Sequence, residues 1–273
     1  MFDYNYQFNT VMYNQQLLNS NFGNLQNQFT PGYKADNLSF SDVMGNTGGY
    51  GGAKQAARGV VFTQGQVAKT GNTTDLAVNG QGLLIMNDGS RNHYSRDGRL
   101  YWNNGSLSQV STNMPVMGFP LDDQGNISGK LANIRLDLDP QTKLFGGRYQ
   151  NYRFDNSGKL YGESTIVDPM TKQAVTTSVP LYQVGLASFP NLSGLQRSGT
   201  TSFVESENSG QSVVGVAGQG ALGQVVPESV ELANVDFAQQ SAAIGLAKMG
   251  YDANVSAFKT MDRLTQTAIG LIR

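Results

Sequence analysis

The side chains that could carry out chemistry are few in this sequence, and they are scattered. The only histidine, His93, lies next to a predicted turn, where we expect an exposed imidazole, and cysteine is absent. Metal sites built from paired His or Cys ligands are therefore excluded, as are disulfides and a cysteine nucleophile. Asp137 and Asp139 alternate along a predicted strand and would share one face, as the two carboxylates of a glycosidase could. A solvated strand face explains both aspartates more simply, and we favour it.

Two further motifs resemble ligand-binding loops but lack the surroundings that such loops need. Residues 218–223 match the G-x-G-x-x-G pattern of dinucleotide sites, yet Val225-Val226-Pro227 follows at once, so no helix can begin there. Residues 122–126 are acidic but lack the ligand spacing and the final Glu of a calcium loop. We therefore predict no cofactor, no metal ion, no small-molecule substrate and no enzymatic activity.

The composition is that of a weakly charged, glycine-rich chain. Charged residues make up 14% of the sequence, against about 25% in ordinary soluble domains. The formal net charge of −1 provides no field that would attract nucleic acid or an anionic membrane. The sequence has no apolar run long enough to span a membrane, and its start does not resemble a cleaved signal peptide. This profile favours a structural or surface protein.

Apolar residues recur in steps of three and four over the first thirty residues, which predicts an amphipathic helix. The stripe consists of Tyr4, Phe8, Val11, Leu18, Phe22, Leu25 and Phe29. Most of the other positions are Asn and Gln, which are weaker helix formers, so the helix needs a partner that buries its stripe. Pro31 and Gly32 then form a predicted turn or hinge.

A second stripe near the other end of the sequence predicts that partner. It consists of Ala247, Tyr251, Val255, Phe258, Met261, Leu264, Ala268 and Leu271. Both stripes have the spacing of a helix with one buried seam, so we expect the two helices to pair with each other and with the same helices of neighbouring copies.

Between the helices the apolar period changes to two, and Asp-Gly and Asn-Gly turns follow at short intervals, which predicts antiparallel strands. The predicted fold is therefore α+β and discontinuous, with the terminal helices pairing as a coiled-coil-like inner domain around a central all-β domain. We assign residues 1–44 and 228–273 to the helical assembly domain and residues 72–208 to the β domain. Residues 45–71 and 209–227 are predicted glycine-rich connectors.

Four blocks of sequence carry a resemblance to one protein family. They are Asn24-Leu25-Gln26-Asn27 with Thr30-Pro31-Gly32-Tyr33-Lys34-Ala35; 74–82 with Tyr94-Ser95-Arg96-Asp97-Gly98; Glu231-Leu232-Ala233-Asn234-Val235-Asp236; and Tyr251-Asp252-Ala253-Asn254-Val255 with Lys259-Thr260-Met261-Asp262. In this order they resemble the signatures of the axial proteins of the bacterial flagellum, the rod and hook proteins. The stretch from about 122 to 178 matches the family poorly.

The resemblance implies a structural subunit of the flagellar basal body, in the rod or a hook-proximal segment. Such a subunit assembles with copies of itself into a tube that transmits torque and conducts exported subunits. Its implied partners are neighbouring rod, hook or ring proteins and the flagellar type III export apparatus. Its implied location is a periplasm-spanning or extracellular part of the flagellum, reached without a cleaved signal peptide.

The resemblance also implies roles for particular residues. Asn24 and Asn27 would join the two apolar stripes in the assembly interface, and Phe40 and Met44 resemble the ends of the short segment that engages the export gate. Proximal rod, distal rod and hook positions all remain open. Two alternatives from other classes are a β-rich extracellular adhesin or tail-fibre-like binding protein, and a carbohydrate-active enzyme that uses Asp137 or Asp139.

Overall fold

The structure, a computed structural model, describes residues 4–42, 53–137, 139, 146, 149, 151–167 and 174–271. The chain divides into two compact units, and each is assembled from separate stretches of sequence. Unit 1 comprises Met1–Gln28, Lys34–Val61 and Val235–Arg273, whereas unit 2 comprises Phe29–Tyr33 and Phe62–Asn234.

Unit 1 contains two long helices and a hairpin. Helix α1 spans Tyr4–Gln26, helix α2 spans Phe237–Leu271, and strands β1 (Asp36–Asp42) and β2 (Ala53–Val60) pair antiparallel. None of the described helices contains an apolar stretch long enough to cross a membrane.

The helices of unit 1 run antiparallel in a constant register. The amide Nδ2 of Asn24 donates to Oε1 of Gln240 at 3.4 Å, and a Cβ placed on Gly250 would lie 2.9 Å from Oδ1 of Asn14. These two contacts are ten residues apart on each helix, so the same register places Thr260 opposite Tyr4. Residues 261–271 of α2 therefore extend about 16 Å beyond the described part of α1.

The buried side of α1 differs from the predicted stripe. Asn14, Asn21 and Asn24 are buried there, whereas Phe8 and Phe22 of the stripe are 58% and 46% exposed. The remaining stripe positions Val11, Leu18 and Leu25 are half-buried; Phe29 lies beyond the helix, and the side chain of Tyr4 is outside the described residues. Within one chain, the buried side of α1 thus coincides with only part of the predicted stripe, and the place of Phe8 and Phe22 in an assembly interface stays a prediction.

The residues of α2 that face α1 explain this difference. In the observed register Ala243, Ala247 and Gly250 lie opposite the buried side of α1, and Ala247 is itself buried. Such small residues bring the helix backbones close, which leaves room for the short side chains of Asn14 and Asn21 but not for a phenyl ring. Phe8 and Phe22 consequently face away from α2.

The predicted stripe of α2 also divides into two parts. Tyr251, Val255, Phe258 and Met261 are half-buried, but Leu264 and Leu271 are 61% and 83% exposed. Both leucines lie past the described start of α1, so their predicted partners within one chain are not in reach, and their place in an interface between copies stays a prediction.

Unit 2 is built from short strands. They are β3 (Val67–Lys69), β4 (Leu76–Asn79), β5 (Leu83–Asn87), β6 (Asn92–Ser95), β7 (Leu100–Asn103), β8 (Ser106–Gln109), β9 (Met117–Pro120), β10 (Ala132–Asn133), β11 (Asn151–Phe154), β12 (Lys159–Val167), β13 (Ala174–Ser188), β14 (Gln196–Arg197), β15 (Ser202–Val204), β16 (Val213–Val216), β17 (Gln224–Pro227) and β18 (Ser229–Glu231). A single 3₁₀ turn spans Leu192–Gly194 among the described residues.

Long strand β13 organises the main sheet of unit 2. The described strands of this sheet run in the order β10-β9-β13-β5-β6-β15-β14, with β12 and β16 also paired to β13 and β11 paired to β12. Strands β17 and β4, β18 and β3, and β7 and β8 form separate antiparallel pairs. Fully buried aliphatic residues, among them Leu84, Leu107, Leu160 and Leu186, form one core cluster.

The predicted arrangement of helical ends around a β-rich centre is confirmed, and the sheets are mostly antiparallel. The coiled-coil geometry and the domain boundaries stay predictions, although described parts of both presumed connectors contain strands, namely β2, β3, β16 and β17. Asp137 and Asp139 lie outside the described strands, so their predicted alternation along one strand is wrong. Phe40 lies in β1, and Met44 lies outside the described residues.

Candidate functional site

Three blocks that are far apart in the sequence meet in unit 2 at a buried ion pair. Nη1 of Arg96 donates to Oε2 of Glu231 at 2.9 Å, and the two side chains are 7% and 0% exposed. The guanidinium also donates to the carbonyl oxygens of Val78 at 2.9 Å and Gly80 at 2.6 Å. The other carboxylate oxygen of Glu231 accepts a bond from the backbone amide of Gly65 at 2.7 Å. Strands β4, β6 and β18 are thereby tied to one charge pair.

This ion pair fixes the position of its strands more than it adds to stability. Removing two charges from water is costly, and the mutual attraction of a buried pair roughly offsets that cost. Among the described atoms, Nε of Arg96 is left without a hydrogen-bond partner, which adds to the cost. Breaking the pair would leave one charge buried alone, at about 3–5 kcal/mol. The strands around Arg96 and Glu231 therefore have one favourable arrangement.

The turn after α1 is held against the same carboxyl-terminal strand. The amide of Gly32 donates to the carbonyl oxygen of Glu231 at 2.7 Å. Gly32 has φ +70°, and a Cβ at this position would lie 2.1 Å from the backbone nitrogen of Asp97. Both the backbone conformation and the close approach require glycine. The predicted turn residues Pro31 and Gly32 thus lie in a tightly packed contact.

The block from Tyr94 to Gly98 supplies the other side of that contact. The carboxylate of Asp97 is fully buried and accepts two bonds from the guanidinium of Arg99, at 2.9 and 2.8 Å. A Cβ on Gly98 would lie 1.6 Å from the carbonyl oxygen of Leu76, so the chain passes β4 with no room for a side chain. The Arg-Asp-Gly sequence is therefore needed for a charge pair, a fixed carboxylate and a close backbone approach.

In unit 1, Asn24 plays a comparable positioning role. Its Nδ2 donates to the carbonyl oxygen of Asp36 at 2.9 Å, and its Oδ1 accepts from the amide of Asp36 at 2.8 Å. With the bond to Gln240, one buried amide links α1, β1 and α2. Asn27 donates to the carbonyl oxygen of Gly23 at 2.8 Å and so satisfies a carbonyl in the last turn of α1. Both asparagines thus bond within the chain itself.

The helices of unit 1 expose apolar surface. On α2 four of the large exposed apolar side chains lie on one face, which we call the outer face, namely Leu246, Met249, Leu264 and Leu271, whereas exposed Phe237 and Ile269 lie elsewhere on the helix. On α1 Phe8, Met12 and Phe22 are exposed on the side turned away from α2. The charged residues Lys248, Asp252, Lys259 and Arg263 occupy a third face of α2, and the first two form an ion pair at 2.9 Å. The apolar faces can therefore be covered by another helix.

The histidine is placed differently from the prediction. His93 is 3% exposed, since it lies in β6, with Nδ1 3.4 Å from Oγ of Ser202 and Nε2 2.9 Å from Oδ2 of Asp88. The expectation of an exposed imidazole is therefore wrong. Asp88 also accepts hydrogen bonds from the backbone amides of Arg91 and Ser90. Together with the bond to His93, these bonds hold the pKa of the Asp88 carboxyl well below its usual value.

Sequence reasoning did not single out Arg96, Asp97 or Glu231 as functional residues. All three lie inside the blocks that carry the family resemblance, and their place in these blocks is the one feature of the sequence that could have identified them. A single sequence gives no indication that Arg96 and Glu231, separated by 135 positions, are in contact.

Known proteins that resemble this chain come from the bacterial flagellum, although no protein-family model matches it. The flagellar basal-body rod protein FlgG of Bacillus subtilis is 25% identical over 268 residues, which cover 92% of this chain and 91% of that protein. FlgG of Borreliella burgdorferi is 26% identical over 271 residues, with 92% and 91% coverage. The flagellar hook protein FlgE of Borreliella burgdorferi is 34% identical over 125 residues, which cover 46% of this chain.

The two kinds of relative match different shares of their own length. This chain spans about nine-tenths of each FlgG protein but only 26% of the hook protein. These relatives are named as structural parts of the flagellum and not as enzymes. Their names agree with the family to which the four sequence blocks point. This chain is therefore similar to flagellar rod proteins over most of its length and to hook proteins over part of it.

Proposed function

We propose that this protein is a self-assembling subunit of the flagellar rod or of a hook-proximal segment. The terminal helices pair as a coiled-coil-like inner domain of a tube, and the β-rich unit forms an outer layer. The assembled tube transmits torque and conducts exported subunits. The subunit reaches it through the flagellar type III export apparatus, and it contacts neighbouring rod, hook or ring proteins there.

The exposed outer face of α2 is the observation that carries this proposal. Leu246 and Met249 are each 70% exposed, and Leu264 and Leu271 are exposed beyond the described reach of α1. Burying one such side chain contributes roughly 1.5–3 kcal/mol. Large apolar side chains exposed on one face of a helix are typical of an interaction surface. The similarity to a rod protein extends over 92% of this chain, which supports the proposal that other copies of the subunit cover the outer face of α2.

The polar seam between the helices supports a fixed geometry in the assembly. The bond from Asn24 to α2 favours one register, because a shift of the helices would take Gln240 away from this buried amide. Asn24 is satisfied by Asp36 and Gln240 in the observed register. Subunits whose helices cannot slide are suited to carry torque along a tube.

A comparison of two substitutions near the end of α2 tests the proposal. Leu264→Asp adds one negative charge to the outer face, and Gln266→Asp adds the same charge on the polar side of the same helix. Purified protein at high concentration is followed by sedimentation and negative-stain electron microscopy. We expect the unmodified chain and Gln266→Asp to form tubes or short rods and Leu264→Asp to stay monomeric.

Two outcomes would contradict the proposal. One is that Leu264→Asp assembles as readily as Gln266→Asp, and the other is that the unmodified protein remains a single particle at every concentration. Thermal unfolding of unit 2 serves as the control for folding and should be the same in all three proteins, because both substitutions lie in unit 1.

A further inference from the structure

Unit 2 contains a cleft that takes no part in the ion pair or the helix surfaces. Its volume is about 260 Å³, just below the range of common small-molecule sites. Two tyrosines, Tyr149 and Tyr182, line it together with three charged side chains, Asp123, Arg135 and Asp137. The remaining wall is largely aliphatic and is formed by Pro120, Leu121, Leu136, Val179, Pro180 and Leu181. Aromatic rings and charges of both signs thus meet in one concave surface.

Backbone hydrogen bonds join the segments that form this cleft. The amide of Leu121 donates to the carbonyl oxygen of Leu181 at 3.0 Å, where β9 and β13 pair. The amide of Gly146 donates to the carbonyl oxygen of Asp137 at 2.7 Å, and that of Tyr149 donates to Gly146 at 2.9 Å. The acidic and aromatic residues are therefore brought together by the fold and not by chance proximity of long side chains.

The ring of Tyr149 is held in place before any ligand arrives. A Cβ on Gly162 of β12 would lie 2.7 Å from the Cγ and Cδ1 atoms of this ring, so the glycine makes room for it. The other neighbour is Tyr152, whose ring centroid is 6.1 Å away and whose hydroxyl donates to the carbonyl oxygen of Gly146 at 2.7 Å. Tyr152 in turn packs on Trp102 at 5.2 Å. A ring fixed in this way loses little freedom on binding.

The second ring has a different environment. Tyr182 is half-buried in β13, and this burial raises the pKa of its phenol, to which the negative charge of Asp137 adds. A backbone hydrogen bond from Arg135 to the phenol opposes this shift, and the neutral hydroxyl can donate a hydrogen bond to a ligand. Asp137 and Arg135 are exposed and can reach a ligand in the cleft.

We propose that this cleft binds a saccharide. The apolar faces of a sugar ring pack on flat aromatic side chains, while its hydroxyl groups donate to carboxylates such as Asp123 and Asp137 and accept from the Arg135 guanidinium. A cationic ligand would meet Arg135, and an anionic ligand would meet two aspartates. A neutral ring that carries both donors and acceptors satisfies all of these side chains together.

Ligand-observed saturation-transfer NMR on the full chain tests this proposal. The probes are glucose, N-acetylglucosamine and maltotriose, each titrated into the millimolar range, together with N-acetyl-lysine and acetate as charged probes. We expect at least one saccharide to bind. Asp137→Asn and Tyr149→Ala should each weaken that binding by about tenfold, since each removes one main contact. Asp252→Asn on α2 and Tyr101→Ala on β7 are the matched controls and should leave it unchanged.

Three results would overturn the proposal. These are no saccharide binding, saccharide binding that both cleft variants retain in full, and binding of the charged probes alone. Thermal unfolding of each variant is measured in parallel. Asp137→Asn alters an exposed side chain and keeps its size, so it decides the question even if Tyr149→Ala unfolds.

Discussion

Replacing Gly32 with alanine tests how tightly the turn after α1 is packed. This residue has φ +70°, and its added Cβ would lie 2.1 Å from the nitrogen and 2.4 Å from the Cα of Asp97. Both are backbone atoms, and Asp97 is fully buried with its carboxylate bonded to Arg99. The methyl group can therefore be accommodated only if the turn or the strand beside it moves.

The expected cost has two parts. The left-handed conformation costs an alanine about 1–2 kcal/mol. Forcing an extra methyl group into a well-packed contact costs about 1–3 kcal/mol more. The free energy of unfolding of unit 2 should thus fall by about 2–5 kcal/mol. For a domain of this size, that corresponds to a fall of roughly 5–15 °C in Tm.

Two other glycines of unit 2 separate these contributions. Gly71 has φ +75° but no described atom within 4 Å of an added Cβ, so Gly71→Ala should show the conformational cost alone. Gly199 has neither a positive φ nor a close contact, since Cβ of Ser202 would lie 3.7 Å away, and Gly199→Ala should be nearly neutral. Urea unfolding followed by fluorescence of Trp102, the only tryptophan, reports on unit 2. The packing argument is refuted if Gly32→Ala destabilises no more than Gly71→Ala.

Three other changes test the remaining contacts. Glu231→Gln should lower the free energy of unfolding of unit 2 by about 3–5 kcal/mol in urea, because it leaves Arg96 buried without a counter-charge. The double variant Arg96→Met/Glu231→Leu should lose less stability, and an equal loss in the two variants would contradict the role of the buried pair. Asp88→Ala should lower Tm near neutral pH. The difference in Tm from the unmodified protein should shrink as pH falls below 3.8, the ordinary pKa of this carboxyl, because the contacts that depress the pKa of Asp88 stabilise the fold only while the carboxylate is ionised. Asn24→Ala should lower the free energy of unfolding of unit 1 by about 1–3 kcal/mol, followed by the helical signal in circular dichroism. Asn19→Ala on the exposed side of α1 should change this free energy little, and a similar loss in both variants would contradict the role of the buried amide.

Periodicity predicted the two helices because their apolar spacing is sustained over many turns. It did not predict which side of α1 is buried, because that side is set by the small residues of α2 opposite it. Asn14 and Asn21 pack there only because Ala247 and Gly250 allow the two helices to approach closely. The residue pattern of one helix gives no information on which residues of the other helix face it. Amphipathic analysis treats asparagine as a surface residue, so the pattern does not predict that Asn14 and Asn21 are buried.

Strand β2 shows a second limit of local patterns. Residues 53–60 read AKQAARGV, which has neither alternation nor strong β propensity, and the strand exists through its pairing with β1. The error at Asp137 has the opposite cause, since an alternating pattern there is not accompanied by a paired strand. The buried carboxylate of Glu231 depends on Arg96, which lies 135 positions away and is brought near only by the folded chain.

The sequence blocks that carry the resemblance meet, in unit 2, in backbone contacts that tolerate few side chains. Gly32, Arg96 and Glu231 belong to three different blocks and are joined by hydrogen bonds of 2.7 and 2.9 Å. A shared junction of this kind explains why one chain can resemble both rod and hook proteins, whatever their place along the axis. Half of the twelve residues that line the proposed saccharide cleft lie within the stretch that matches the family poorly. Features that distinguish this chain from the rod and hook proteins it resembles are therefore expected at the cleft, and the proposed assembly should not depend on it. Asp137→Asn should accordingly leave tube formation unchanged while Leu264→Asp abolishes it.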